Sequence, residues 1–329
     1  MLARIAQELF WLGRDLTRAE QTARMLDGAF HADVASAPGQ RGIAVSWDGL
    51  LAIIGAKPPV PGERKEAPLA TSVADGHLSA GTRRSEVTSL LTLDLESPAS
   101  IVSCVARARE RVRTLRDVIS TEMWQALNSF YLTLGRYDLR SALETGPYSV
   151  YHEVKERCAL FWGLVERTML RDEGRAFLEA GGHIEEADMV LRLLRVSVLP
   201  EPHTNEIEAH ALLQAVGGFQ AYWRAIRNAP TVGSVVRFLL YDVAYPCSVA
   251  SSVQALRAAL EPADPQPRSS PPVLRLGRLT ADLELQRRTP GGRVGLHEQL
   301  AAVQAELELV DRDIDERYFA IAALAAVHV

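Results

Sequence analysis

Glu8-Leu9-Phe10-Trp11-Leu12-Gly13-Arg14-Asp15-Leu16-Thr17-Arg18-Ala19-Glu20 is the stretch whose reading decides the fold. Around it Ile5, Leu9, Leu12, Leu16, Ala19, Ala23 and Leu26 recur at intervals of three and four, which predicts one buried face of a long helix over 5–30. The design returns in degenerate form over 178–194: Gly13 maps onto Gly181, Leu16 onto Ile184, Ala19 onto Ala187, Glu20 onto Asp188 and Arg24 onto Arg192, an offset of 168 residues. Arg14 and Arg18 have no counterpart there, since Gly182 and Glu186 stand in their places.

A second echo runs at an offset of 148, where Val87, Leu91, Asp94, Pro98, Ser100, Ser103, Val105 and Arg109 meet Val235, Leu239, Asp242, Pro246, Ser248, Ser251, Val253 and Arg257. Both echoes predict a duplicated helical unit, one copy over about 1–135 and the other over about 170–260. The Pro-, Gly- and Ser-rich stretch over about 55–86 reads as a mobile insertion that absorbs the difference in offset. A Pro-rich linker over 261–272 precedes two C-terminal helices, over 273–288 and 296–326, expected to form a hairpin packed on the bundle. β-branched alternation is almost absent, so the fold class is all-α.

With 329 residues, 47% of them hydrophobic and 23% charged, the chain can bury a sizeable core. A formal net charge of -5 argues against nucleic acid or an anionic membrane as the main partner. Cys104, Cys158 and Cys247 lie far apart without C-x-x-C spacing, suggesting neither disulfides nor zinc, and a reducing cytoplasm is the expected compartment. No targeting or membrane-spanning segment is expected.

Several stretches together resemble the bacterial alpha-E domain family. They are Phe10-Trp11-Leu12-Gly13-Arg14 with Arg18-Ala19-Glu20, Leu93-Asp94 with Ser97-Pro98-Ala99-Ser100-Ile101, Ala108-Arg109-Glu110, Ile119-Ser120-Thr121-Glu122-Met123-Trp124 with Asn128, and Glu185-Glu186-Ala187-Asp188. The resemblance implies an all-helical domain that works beside a circularly permuted ATP-grasp amide ligase, with a transglutaminase-like protein as a further partner, in a system that makes or modifies peptides. The chain departs from the family pattern at Asp15, where an aromatic is usual, at Thr17, where Glu is usual, and at Arg111, where Asn is usual. Arg is usual where it has Glu179, Gly182, Glu186 and Cys247, so any polar site is expected to be asymmetric and centred on the first helix.

The candidate polar pocket comprises Arg14, Arg18, Glu20, Arg24, Arg109, Glu110, Arg113, Asp188 and Arg192. Arginine forks suit a carboxylate or phosphate of a substrate or partner. The alternative is structural, with Glu20 and Arg24, and Asp188 and Arg192, as ion pairs spaced one helical turn apart. In the run from Arg107 to Asp117, Arg109, Arg113 and Arg116 share the face expected to meet Glu20 or Asp188, whereas Arg107 and Arg111 are expected in solvent. Asp94, Pro98 and Ser100, with Asp242, Pro246 and Ser248, read as helix-start residues.

No Glu-x-x-His, H-E-x-x-H, Walker loop, Gly-x-Ser-x-Gly or Gly-x-Gly-x-x-Gly occurs, so no cofactor or metal is expected, and His183 near Glu186 reads as a surface histidine. Trp11, Trp124, Trp162 and Trp223 read as core or partner-facing anchors. These features favour a non-catalytic helical subunit acting with the ligase. An enzyme using an Arg and carboxylate pocket without metal, or a plain scaffold, are the alternatives.

Overall fold

The computed structural model describes residues 1–35, 45–56, 80–136, 143, 146–197, 206–289 and 295–320, and among them no strand occurs. The opening helix α1 spans Ala3–Ala35, followed by α2 (Trp47–Ile54), α3 (Ala80–Thr92), α4 (Ile101–Thr114) and α5 (Thr121–Arg136). Then come α6 (Pro147–Thr168), α7 (Glu173–Ser197), α8 (Glu206–Ala215), α9 (Phe219–Ile226) and α10 (Val232–Tyr241). The last described helices are α11 (Val249–Ala263), α12 (Pro271–Arg288) and α13 (Leu296–Ile314), which runs into a π-helical turn over Asp315–Phe319.

α1 and α7 are the two central helices, and they pack on each other more extensively than any other pair. α4, α6 and α8 close around α1, and α2, α11 and α13 around α7. The sequence predicts one buried face for α1; its middle, from Leu9 to Ala29, is instead enclosed nearly all round. Its polar residues Arg14, Asp15, Thr17 and Gln21 are buried with the leucines. A helix can be enclosed this way only if its polar side chains find internal partners in place of water.

Two glycines let the central helices approach. A Cβ on Gly13 would strike the carbonyl oxygen of Leu178, and one on Gly181 would strike that of Phe10. The residues paired by the 168-residue offset therefore lie on opposite sides of one crossing, each helix presenting its glycine to the other's backbone. Backbone contact at this point brings the polar stripes on either side within reach of each other.

The turns before α4 and α11 close the same hydrogen bonds. Ser100 Oγ accepts from Ser103 N at 3.2 Å and donates to Asp94 O at 2.5 Å; Ser248 Oγ accepts from Ser251 N at 3.1 Å and donates to Asp242 O at 2.6 Å. Asp94 and Asp242 each accept from the N–H two residues on, Glu96 at 2.9 Å and Ala244 at 3.0 Å. The helix starts are thereby corrected: Ser100 and Ser248 are the N-caps, Asp94 and Asp242 shape the preceding turns, and Pro98 and Pro246 sit in those turns. A serine with extended backbone whose side chain takes the N–H three residues on satisfies one of the helix's free donors, which is the N-cap role.

Two segment boundaries also change. Residues 80–86 of the expected insertion belong to α3, while 57–79 lie outside the described residues. The expected linker is largely ordered: α11 continues through Pro262 to Ala263, a 3-10 turn covers Pro267–Ser269, and α12 starts at Pro271. Buried Asp264 fixes it by accepting from Gln266 N at 2.7 Å, Arg317 Nη2 at 3.0 Å and Tyr318 Oη at 2.7 Å. The final turn completes the core, with the Phe319 ring 5.4 Å from Phe10 and 5.9 Å from Phe177. Residues 321–326 of the last expected helix lie outside the described residues.

Candidate functional site

Glu185 on α7 is fully buried and is the hub of the polar stripe between the central helices. Arg14 Nε donates to it at 2.9 Å, and Arg18 donates through Nε at 2.5 Å and Nη2 at 3.0 Å. Arg14 turns its Nη1 to both carboxylate oxygens of Asp311 on α13, at 2.8 and 2.9 Å, and its guanidinium lies 4.8 Å from the Trp11 ring centre. Burial alone would raise the Glu185 pKa; Arg18 and Arg14 outweigh it and hold the carboxyl below its ordinary value. Two arginines and two carboxylates make a neutral, closed unit that ties α1, α7 and α13 together.

The other predicted residues divide into separate groups. Asp188 accepts from Arg192 Nη2 at 2.7 Å and from buried Gln304 of α13 at 2.5 Å. Arg24 holds Glu20 at 2.7 and 3.0 Å, one helical turn away. Arg109 donates to Asn128 at 2.9 Å and to Glu110 at 2.9 Å, and lies over the Tyr131 ring. Arg113 pairs with the other oxygen of Glu110 at 3.0 Å, out in solvent. The nine predicted residues therefore do not line one pocket. Arg14 and Arg18 meet through Glu185, but Arg109 lies against α5, and Glu110 and Arg113 lie at the solvent edge of α4.

The faces of α4 are the reverse of those expected. Arg107 and Arg111 point at α1, where Asp15, 3% exposed, takes Arg107 Nε and Nη2 at 2.9 and 2.7 Å and Arg111 Nε at 3.1 Å. Glu8 takes Arg111 Nη1 at 2.6 Å. The expected solvent-facing pair is fixed at a helix interface because Ile101, Cys104, Val105, Ala108 and Val112 are the apolar residues of α4 that enter the core, and Arg107 and Arg111 flank them. Arg116 stacks instead on Trp124, 4.2 Å from its ring centre.

Several residues of the network are absent from the sequence-based set: Glu185, Asp15, Arg107, Asp311, Gln304 and Glu186. For Glu185 a signal exists, since Gly181, Glu185, Asp188 and Arg192 fall at spacings of four and three and form one stripe through the crossing point. Asp311 and Gln304 come from a distant helix, and no local pattern marks them.

Glu186, next to the hub, lies in a different setting. Ser252 Oγ of α11 donates to it at 3.1 Å and Gln21 Nε2 of α1 reaches it at 3.5 Å. Burial pushes its carboxyl up to about 7, with the neighbouring Glu20 adding to the rise, while the Cys247 thiol, Ser252 and Arg24 act in the opposite direction. No arginine bonds to it among the described residues. His183, expected at the surface, is half-buried, and burial lowers its pKa.

A model of an alpha-helical domain with a conserved ER motif matches residues 1–319. The chain belongs to the Alpha-E family. An uncharacterized protein of Mycobacterium bovis is 25% identical to it, as are uncharacterized proteins of two Mycobacterium tuberculosis strains, CDC 1551 / Oshkosh and H37Rv. Each match covers 92% of this Alpha-E chain and 35% of the relative, so the chain spans about a third of the length of the curated relatives it matches. No solved structure matches it. Among the described residues of the Alpha-E domain, no group of three or more His, Cys, Asp or Glu side chains is placed to hold a metal ion, and no helix is long and apolar enough to cross a membrane.

Proposed function

We propose that this Alpha-E domain is a non-catalytic helical binding subunit of a peptide-synthesising or peptide-modifying system, acting beside an ATP-grasp amide ligase. The observation that carries this reading is coverage: nearly the whole chain matches only about a third of each mycobacterial relative, so there the helical unit belongs to a much larger polypeptide. A unit used as one part of a larger chain is suited to presenting a surface to neighbouring domains. The internal closure of Arg14, Arg18, Arg24 and Arg192 on carboxylates supports the same reading, because these groups stiffen the bundle. A cytoplasmic setting and a transglutaminase-like second partner belong to the proposal.

Co-expression with an ATP-grasp protein encoded beside this chain tests it. The two are expected to co-purify, and the Alpha-E chain to change the rate of ADP release by the ligase. Absence of both association and any effect on ADP release would overturn the proposal.

One observation favours an enzymatic reading: Glu186, with its carboxyl pushed up to about 7, has the proton affinity of a general base working near neutrality. That reading predicts turnover of a peptide by the isolated chain and its loss in Glu186→Gln with the fold intact.

A further inference from the structure

Between the first turns of α1 and the C-terminal half of α4 lies an open cleft of about 580 Å³, edged by Arg4, Arg107, Arg111 and Arg113. Its volume falls within the range of about 300 to 1,000 Å³ usual for small-ligand sites. Ile5, Ala106 and Leu115 supply apolar lining between the guanidinium groups. The cleft is separate from the closed network around Glu185.

Two of its arginines are held in place. Buried Asp15 takes Nε of both Arg107 and Arg111, and Glu8 takes Nη1 of Arg111. The Trp11 ring centre lies 5.9 Å from the Arg111 guanidinium. These contacts use the inward N–H groups and leave Arg107 Nη1 and Arg111 Nη2 without an acceptor among the described residues. Guanidinium groups fixed by an internal carboxylate lose less side-chain freedom when a ligand arrives than free ones do. Arg4 is exposed and makes no ion pair among the described residues, and Arg113 is bound only to Glu110 at the rim. Four arginines against Asp15, Glu8 and Glu110 leave a net local charge of +1 in a chain whose total is -5.

That balance selects a ligand class. A polyphosphate would meet the Glu8 and Glu110 carboxylates at the edge and gain nothing from the apolar lining. A single carboxylate joined to an apolar body matches both the modest positive charge and the lining. We propose that the α1/α4 cleft binds the carboxylate-bearing end of a peptide, its carboxylate on the outward N–H groups of Arg107 and Arg111, with Arg4 and Arg113 closing over it. The neighbouring apolar side chain of the peptide rests on Ile5, Ala106 and Leu115. This assignment rests on the peptide-system reading above and names the ligand side of it.

Calorimetric titration of the full chain with N-acetyl-Gly-Leu as the free acid, and with its amidated analogue N-acetyl-Gly-Leu-amide, is the test. The acid is expected to bind at least tenfold more tightly than the amide, and more weakly as salt rises. Arg4→Ala with Arg113→Ala changes only exposed side chains and is expected to weaken binding at least fivefold with the melting temperature unchanged. Arg107→Gln, which leaves Asp15 to Arg111, is expected to weaken it at least tenfold. Equal binding of acid and amide, no binding of either, or tighter binding of inorganic triphosphate abolished by the same variants would each overturn the assignment. Peptide binding without ligase association would remove the subunit reading and keep the cleft, whereas association without peptide binding would do the reverse.

Discussion

Glu185 and Glu186 are adjacent in sequence yet answer opposite electrostatic settings. Glu185 stays ionised because two guanidinium groups replace its water, and removing its charge leaves half-buried Arg18 without its bonded carboxylate and buried Arg14 with only Asp311. Breaking a buried pair by deleting one partner costs about 3 to 5 kcal/mol, so Glu185→Gln is expected to lower the urea midpoint steeply. Asp311→Asn should cost about 1 kcal/mol or less, since Asp311 is 41% exposed and water screens it. Equal losses from the two variants would mean that Glu185 is not the hub. Glu186 faces Gln21, Glu20 and Arg24 of α1, and Ser252 and Cys247 at the start of α11. Its carboxyl is raised in the folded chain from 4.5 to about 7, so the native state holds a proton that the unfolded chain releases. Stability is therefore greatest below the unfolded value and falls as pH rises from about 4.5 through about 7, by on the order of 3 kcal/mol at about 1.4 kcal/mol per pH unit. Glu186→Gln is expected to flatten that fall in urea titrations between pH 5 and 8; an unchanged slope would rule the assignment out.

At the scale of the elements, the Gly13 and Gly181 crossing sets the distance between the central helices. Alanine normally stabilises a helix by about 1 kcal/mol over glycine. Here Gly181→Ala is expected to do the reverse, because its Cβ would meet the Phe10 carbonyl oxygen, a backbone atom that cannot swing aside. Overpacking of this kind costs about 1 to 3 kcal/mol or more, and separating the helices would also stretch the Arg14, Arg18 and Glu185 contacts. Thermal denaturation reads the sign directly, and a gain in stability would show that the crossing is looser than described. The helices themselves were legible from apolar spacing: α1, α7 and α12 follow the expected spans to within a few residues. The face of α4 was not legible, because Arg107, Arg109, Arg111 and Arg113 alternate around the helix and local sequence does not say which side an acid will approach. Asp15 on another helix decided it.

For the whole molecule, the C-terminal helices are part of the central packing. α13 supplies Asp311 to Arg14 and Gln304 to Asp188, and the turn after it inserts Phe319 between Phe10 and Phe177. Ending the chain at residue 290 is expected to lower the melting temperature by 10 °C or more and to make the protein bind a hydrophobic dye, because Phe10 and Phe177 lose their cover. Unchanged melting would show that these helices are appended rather than integral. Two different kinds of information shaped this protein. Its sequence alone determined the all-helical class, the family and the paired acid and arginine of α1 and α7, because apolar period and one-turn charge spacing are local properties of a chain. Only tertiary structure decided that Arg14 and Arg18 close on Glu185, that Arg107 and Arg111 rather than Arg109 and Arg113 face α1, and that Asp264 and Asp311 fix the C-terminal segment. Those partners lie tens to hundreds of residues apart along the chain. A buried charge takes its counter-ion from whichever helix packing brings within reach, and no local period records that choice.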